Sequence, residues 1–170
     1  MFTARKALTV LVVGARGVGK TTLGEAMAEH MSQYTLEIRT CSKLPLEHDE
    51  RRPRVDFVVF LVSMIDASSA AFVREALETL VDAEFCFGRS CLVATHADQT
   101  SQFAVDPQTV HSLAHDLDTS AHMVSLADPR ATRQLVDSLV EQAAIAARHA
   151  GASAPLVRSL DAAAFAIPTM

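Results

Sequence analysis

Residues 7–21 read ALTVLVVGARGVGKT, an apolar run followed at once by a glycine-rich turn. The run at 7–13 is continuous and rich in β-branched residues, which is typical of a strand buried on both faces. Residues 14–21 fit the pattern G-x-x-x-x-G-K-[ST] in full, and Leu23 and Met27 then recur four apart, as on one face of a helix. The stretch therefore predicts a strand, a phosphate-binding loop and a helix, in that order.

The rest of the chain alternates between apolar runs and helical patterns. Ser68 and Ser69 are expected to cap the helix that follows the most apolar run. This alternation predicts one α/β domain over residues 1–150, with a mostly parallel sheet flanked by helices, and a tail at 151–170 with room for a short helix. Further strands are predicted at 34–41, 57–65, 90–95 and 122–125, and the clearest further helices at 107–117 and 131–149.

Composition limits the class of protein. The 170 residues are 49% hydrophobic and 21% charged, which is enough apolar material for one core and too much for a disordered chain. A net charge of -5 argues against direct DNA contact as the main function. There is no apolar run long enough for a membrane span, and the three cysteines have no zinc-ligand spacing, so we expect a protein of a reducing compartment with no membrane contact.

The glycine-rich turn predicts binding of a nucleotide phosphate. Glycines let successive backbone N–H groups turn towards phosphate oxygens, and the helix N-terminus adds its positive dipole end. Lys20 is expected to reach the β- and γ-phosphates, and the Thr21 hydroxyl to ligate Mg²⁺. An inherited glycine turn without a ligand is the alternative. The predicted phosphate-binding residues are Gly14, Ala15, Arg16, Gly17, Val18, Gly19, Lys20, Thr21 and Thr22.

Signals for hydrolysis are weaker than the signal for binding. Turnover also needs an acidic group for the metal and a group that orients water. Asp66 is the candidate metal ligand, and a helix-capping or loop aspartate is the alternative. No aspartate is followed three residues later by glycine, so the D-x-x-G element of small GTPases is absent. Residues 22–57 hold one strand and a loop, too little for a switch hairpin.

Two loops predicted at strand ends favour guanine as the base. Thr95, His96 and Asp98 stand where GTPases carry [NT]-K-x-D, whose aspartate accepts hydrogen bonds from guanine, although a histidine replaces the lysine that packs on the base. Ser125 and Leu126 loosely match the S-A loop that donates to the guanine carbonyl. Together these residues predict GTP or GDP rather than an adenine nucleotide.

A family resemblance extends this interpretation. Residues 52–62, RPRVDFVVFLV, resemble the R-P-R-[IV]-D-x-[IV]-V-F-x-V stretch of the centromere protein M family, and residues 42–46 and 81–95 continue the likeness. The resemblance implies a small-GTPase-like fold that lacks the switch region and does not act as a GTPase. Unlike the animal members, which look degenerate at the phosphate loop, this chain has residues 14–21 intact.

The resemblance also implies a place of action and partners. It implies a scaffold subunit of the inner kinetochore, in the nucleus at the centromere, that binds centromere protein I alongside centromere proteins H and K. With an intact loop, guanine nucleotide and Mg²⁺ could be held with little or no hydrolysis. The alternatives are an active GTP-hydrolysing switch and a small-molecule kinase, the latter without an arginine-rich lid segment in the sequence.

Overall fold

A computed structural model describes residues 7–31, 33–42, 55–79 and 88–152 of the chain. The predicted tail therefore lies almost entirely outside the described residues, as does most of the predicted loop before the third strand. Within the described part, no helix has the length and apolar character needed to cross a bilayer.

Five strands form one sheet in the order β2-β1-β3-β4-β5, and every pair of neighbours is parallel. The predicted α/β class with a parallel sheet is confirmed. β3 is buried along its whole length, as its apolar run predicts, and β2 lies at an edge with alternate residues exposed. The strands are β1 (Ala7–Val13), β2 (Thr35–Cys41), β3 (Phe57–Ser63), β4 (Ser90–Thr95) and β5 (Ala121–Met123).

Helices cover both faces of the sheet. One buried cluster joins the sheet to the first and last helices, and a second joins its opposite face to the two helices between them. The last helix ends at Ala152, three residues beyond the predicted end of that helix at 149. The helices are α1 (Lys20–Ala28), α2 (Ala67–Thr79), α3 (Pro107–Asp116) and α4 (Pro129–Ala152), with a 3-10 turn at Thr100–Gln102.

One helix start differs from its prediction. α2 begins at Ala67, before both serines that were expected to cap it. The Asp66 carboxylate instead accepts from the Ser68 N–H at 2.9 Å, so Asp66 is the capping residue. The Ser69 side chain is fully buried beneath the turn.

The strand order decides where a ligand would bind. The connections from β1 and from β3 leave the sheet on opposite faces, since α1 packs with one core cluster and α2 with the other. In open parallel sheets, ligands bind in the crevice at the carboxyl ends of the strands where the order reverses. Here that crevice lies between the carboxyl ends of β1 and β3.

Candidate functional site

The loop after β1 turns sharply at three glycines. Gly17 and Gly19 have φ angles of 77° and 101°, in the left-handed region that other residues rarely adopt. At Gly14 the constraint is space rather than backbone conformation. A Cβ there would lie 2.8 Å from Val18 Cγ2 and 3.1 Å from the Leu61 carbonyl oxygen. The glycines are therefore required by the shape of the loop.

This loop leaves its backbone donors available. Among the described residues, the N–H groups of Arg16, Gly17 and Gly19 have no hydrogen-bond acceptor. Gly19 caps α1 with no side-chain bond, so the first-turn amides of α1 are also uncapped. Unpaired amides at a helix N-terminus form an anion-binding arrangement.

Lys20 is held against the same loop. Its ammonium donates to the Gly14 carbonyl oxygen at 2.8 Å and to the Ala15 carbonyl oxygen, and the residue as a whole is 8% exposed. An ammonium has three N–H donors, so one remains for a ligand. Burial lowers the pKa of Lys20, an effect that the Cys41 thiol opposes and Arg16 reinforces. A cation penalised by desolvation is stabilised when an anion binds beside it.

A cavity of about 340 Å³ opens next to the loop. It is lined by Gly19 and Thr22 from the loop and α1, by the end of β4, and by the turn after β5. The structure thus brings together all the residues predicted to contact the base, which are separated by up to thirty-one positions in the sequence: Thr95, His96, Asp98, Ser125 and Leu126.

The cavity wall is fastened to the phosphate loop through Thr95. The Thr95 hydroxyl donates to the Val18 carbonyl oxygen at 2.8 Å, in a buried bond. Leu126 also approaches the loop, since a Cβ on Gly19 would lie 2.8 Å from its Cδ1. The Leu126 carbonyl in turn accepts from Thr132 in the first turn of α4. The phosphate loop and the base cavity are therefore one packed unit.

The candidate metal ligand Asp66 uses one oxygen of its carboxylate, Oδ1, within the turn before α2. The Asp66 carboxylate accepts from both the N–H and the hydroxyl of Ser68, at 2.9 and 2.7 Å. No group of three or more histidine, cysteine, aspartate or glutamate side chains could hold a metal ion within the described part of the chain. Thr21 is exposed at the start of α1, where its hydroxyl is accessible.

Sequence reasoning missed the environment of His96. Its backbone has φ 58°, and its Nδ1 lies 3.0 Å from the Ser63 hydroxyl and 3.1 Å from the Thr95 hydroxyl. The Ser63 contact spans thirty-three positions between the ends of two strands, so no local pattern could have shown it. The only available signal was that β3 and β4 were both predicted as strands of one mostly parallel sheet, whose carboxyl ends share an edge.

Comparison with known proteins decides the family. The family model for centromere protein M (CENP-M) matches residues 3–163, nearly the whole chain. The chain belongs to the centromere protein M family. Centromere protein M of Homo sapiens is 33% identical over 107 residues, which cover 63% of this chain and 59% of that protein.

Two further relatives support the same family assignment. Centromere protein M of Xenopus laevis is 34% identical over 110 residues, covering 64% of this chain and 61% of that protein. Centromere protein M of Bos taurus is 33% identical over 107 residues, covering 63% and 59% respectively. The matched region thus spans about three fifths of the length of these relatives. The resemblance seen at residues 52–62 is confirmed at the level of the family.

Proposed function

We propose that this chain is a scaffold subunit of the inner kinetochore that holds a guanine nucleotide as a structural ligand and turns it over slowly or not at all. Membership of the centromere protein M family supports the first half of this proposal. The proposed location is the nucleus, at the centromere. The proposed partners are centromere protein I with centromere proteins H and K, and no direct DNA contact is expected from the net acidity.

Nucleotide binding, the second part of the proposal, is supported mainly by the unpaired backbone N–H groups in the loop beside Lys20. Amides of Arg16, Gly17 and Gly19 without acceptors among the described residues, an anchored ammonium and an adjoining cavity are the parts that a nucleotide needs. Asp98 supplies a carboxylate at the cavity, and this carboxylate can accept hydrogen bonds from the N–H groups of guanine. Mg²⁺, if bound with the nucleotide, would have the Thr21 hydroxyl as its protein ligand.

A bound nucleotide would matter even without turnover. A ligand that binds only the folded state adds RT ln(1 + [L]/Kd) to stability, about 2.7 kcal/mol at a hundredfold excess over Kd. A scaffold subunit could therefore use an intact loop to keep its fold. The missing D-x-x-G element argues against the alternative of an active GTP-hydrolysing switch.

Calorimetric titration with GTP, GDP and ATP tests the nucleotide half. We expect both guanine nucleotides to bind and ATP to bind more weakly. Absence of binding by all three would discard the structural ligand. Lys20→Met should lose binding, while Arg133→Met, an exposed change on α4, is the matched control for removal of a positive charge.

Copurification tests the scaffold half separately. The full chain, co-expressed with its own centromere protein I homologue and those of H and K, is expected to elute with them as one complex. Elution of this chain alone, while the other three remain together, would contradict the scaffold assignment and would leave the nucleotide result standing.

A further inference from the structure

A second cavity, of about 460 Å³, lies beside α4 and shares no residue with the cavity next to the phosphate loop. One wall is the segment between α1 and β2, with His30, Gln33 and Tyr34. The other wall is one face of α4 between Asp137 and Arg148. We call this cavity the α1–α4 groove. The proposed nucleotide site makes no use of it.

Contacts at both ends of this face hold α4 against the other wall. The His30 Nδ1 lies 3.4 Å from the Asp137 carboxylate, and the Arg148 guanidinium donates to the Tyr34 hydroxyl at 3.2 Å. The two contacts are eleven residues apart on α4, which is about 16 Å along the helix axis. The groove is therefore a formed feature of the folded chain, with room alongside it for about three turns of a helix.

Apolar surface lines the groove and is only partly covered. Val140 and Ala144 are buried, whereas Ile145, which also lines the groove, is 46% exposed. Among the described residues only three large hydrophobic side chains are exposed, and Met31, next to His30, is another of them. Single exposed apolar residues are common on protein surfaces, but two of them beside one groove indicate a surface that packs against another molecule.

Two charged side chains flank Ile145 on the same face of α4. Glu141 is four residues before Ile145 and Arg148 is three residues after it, so the three side chains are neighbours on the helix surface. Within the described part of the chain, Glu141 has no hydrogen-bond or ion-pair partner, and Arg148 meets the Tyr34 hydroxyl but no carboxylate. The face therefore presents an acidic, an apolar and a basic side chain in that order.

This order is complementary to itself when the helix is reversed. If two such helices run antiparallel, with their midpoint between Ala144 and Ile145, each Glu141 lies opposite the partner's Arg148. Each Ile145 then lies opposite the partner's Ala144, so a large side chain meets a small one. A twofold axis relates the two copies, so every pair occurs twice.

We propose that two copies of this chain associate through the α1–α4 groove, with their α4 helices antiparallel about a twofold axis. Covering both copies of Ile145 removes apolar surface from water, and the two Glu141–Arg148 pairs set the direction and register of the helices. The contact is little wider than one helix, so we expect a weak dimer with a Kd of about 10–100 µM.

The test is the molar mass of the full chain by sedimentation velocity, at concentrations from about 1 to 300 µM, where a weak interface changes from dissociated to associated. The wild type should pass from monomer to dimer. E141K, R148E and I145E should each weaken the dimer at least about tenfold. The double variant E141K/R148E exchanges the two charges, so both pairs form with reversed signs and the dimer should return. M123E, an exposed change on β5, is the control for a charge placed on an exposed apolar residue.

The outcomes separate this proposal from the others. Thermal unfolding shows that each variant is folded, and GDP affinity should be the same in all of them. A wild type that stays monomeric, a dimer that the single variants leave intact, or a folded double variant that does not dimerise would each overturn the antiparallel pairing. If the wild type alone is monomeric and I145E no longer elutes with the homologues of centromere proteins I, H and K, the groove binds another subunit, which also overturns it.

Discussion

The loops that follow β1 and β3 reach the same edge of the sheet and are built in opposite ways. The loop after β1 turns on glycines and leaves the amides of Arg16, Gly17 and Gly19 without acceptors among the described residues. The loop after β3 closes on itself: the Asp66 carboxylate binds Ser68, and the buried Ser69 hydroxyl lies within hydrogen-bond distance of the Asp66 carbonyl oxygen.

The contrast separates two functions that a nucleotide-hydrolysing enzyme needs together. Binding needs donors that are free for phosphate, and the first loop has them. Turnover needs an acidic group that is free for a metal, and the second loop commits its aspartate to capping α2. The loop after β1 thus has donors free for a phosphate group, whereas the aspartate of the loop after β3 uses its Oδ1 to cap α2.

Lys20→Met should give the largest effect on binding. The substitution removes the charge and all three donors while keeping the length of the side chain, so we expect GDP affinity to fall by about a hundredfold, or about 2.7 kcal/mol. The measurement is the calorimetric Kd against Arg133→Met. An unchanged Kd in Lys20→Met would mean that the loop after β1 does not bind the phosphates of the nucleotide.

Gly14→Ala should destabilise the protein more than Gly17→Ala does. The new Cβ would meet Val18 Cγ2 at 2.8 Å and the backbone at Leu61 at 3.1 Å, and we expect the free energy of unfolding to fall by about 2–3 kcal/mol. Gly17→Ala meets nothing within 4 Å and has only its positive φ to strain it, at about 1 kcal/mol. Urea unfolding of both variants measures the difference; equal losses would show that backbone conformation, not space, constrains the loop.

Asp66→Ala tests the role of the loop after β3. Loss of the cap on α2 is expected to reduce the free energy of unfolding by about 1 kcal/mol. GDP affinity with and without Mg²⁺ should match the wild type. A Mg²⁺-dependent loss of affinity in this variant would contradict the capping role and restore Asp66 as a metal ligand.

A smaller effect concerns the thiol of Cys91, near the start of β4 and so towards the edge of the sheet opposite the two loops. Burial raises its pKa to about 12, partly offset by the hydrogen bond to Ser120. In the folded protein, iodoacetamide at about pH 8 should leave Cys91 unmodified, because the thiolate is the nucleophile. The native state keeps this proton when the unfolded chain has lost it, so the free energy of unfolding should fall as pH rises from about 9 towards 12. Rapid alkylation of folded protein, mapped by mass spectrometry, would contradict the burial.

Much of the fold could be predicted because the sequence marks its strands sharply. The bounds of β1 and β4 match their predictions, since a continuous apolar run ends at Gly14 in one case and at polar residues in the other. The start of α2 was predicted too late. Two serines and an aspartate within four residues can all cap a helix, and only the packing that buries Ser69 selects Asp66.

In the candidate site, too, one part could be predicted from the sequence and another part could not. The phosphate loop is contiguous, so its motif gives the whole set of residues. The base cavity joins loops that are far apart, and the bond from Thr95 to Val18 spans seventy-seven positions. Residue types at strand ends could suggest Asp98 and Ser125, whereas the two hydroxyls that orient His96 follow only from how β3 and β4 align.

The most direct test of retention without turnover is the identity of the nucleotide that the full chain keeps. The protein is incubated with GTP and Mg²⁺, separated from free nucleotide, and the bound fraction is identified by chromatography over several hours, with and without its partner subunits. We expect most of the bound GTP to be recovered unchanged from the wild type, and Lys20→Met to retain none. Recovery of no nucleotide from the wild type, or conversion of most of the bound GTP to GDP in that time, would contradict retention without appreciable turnover.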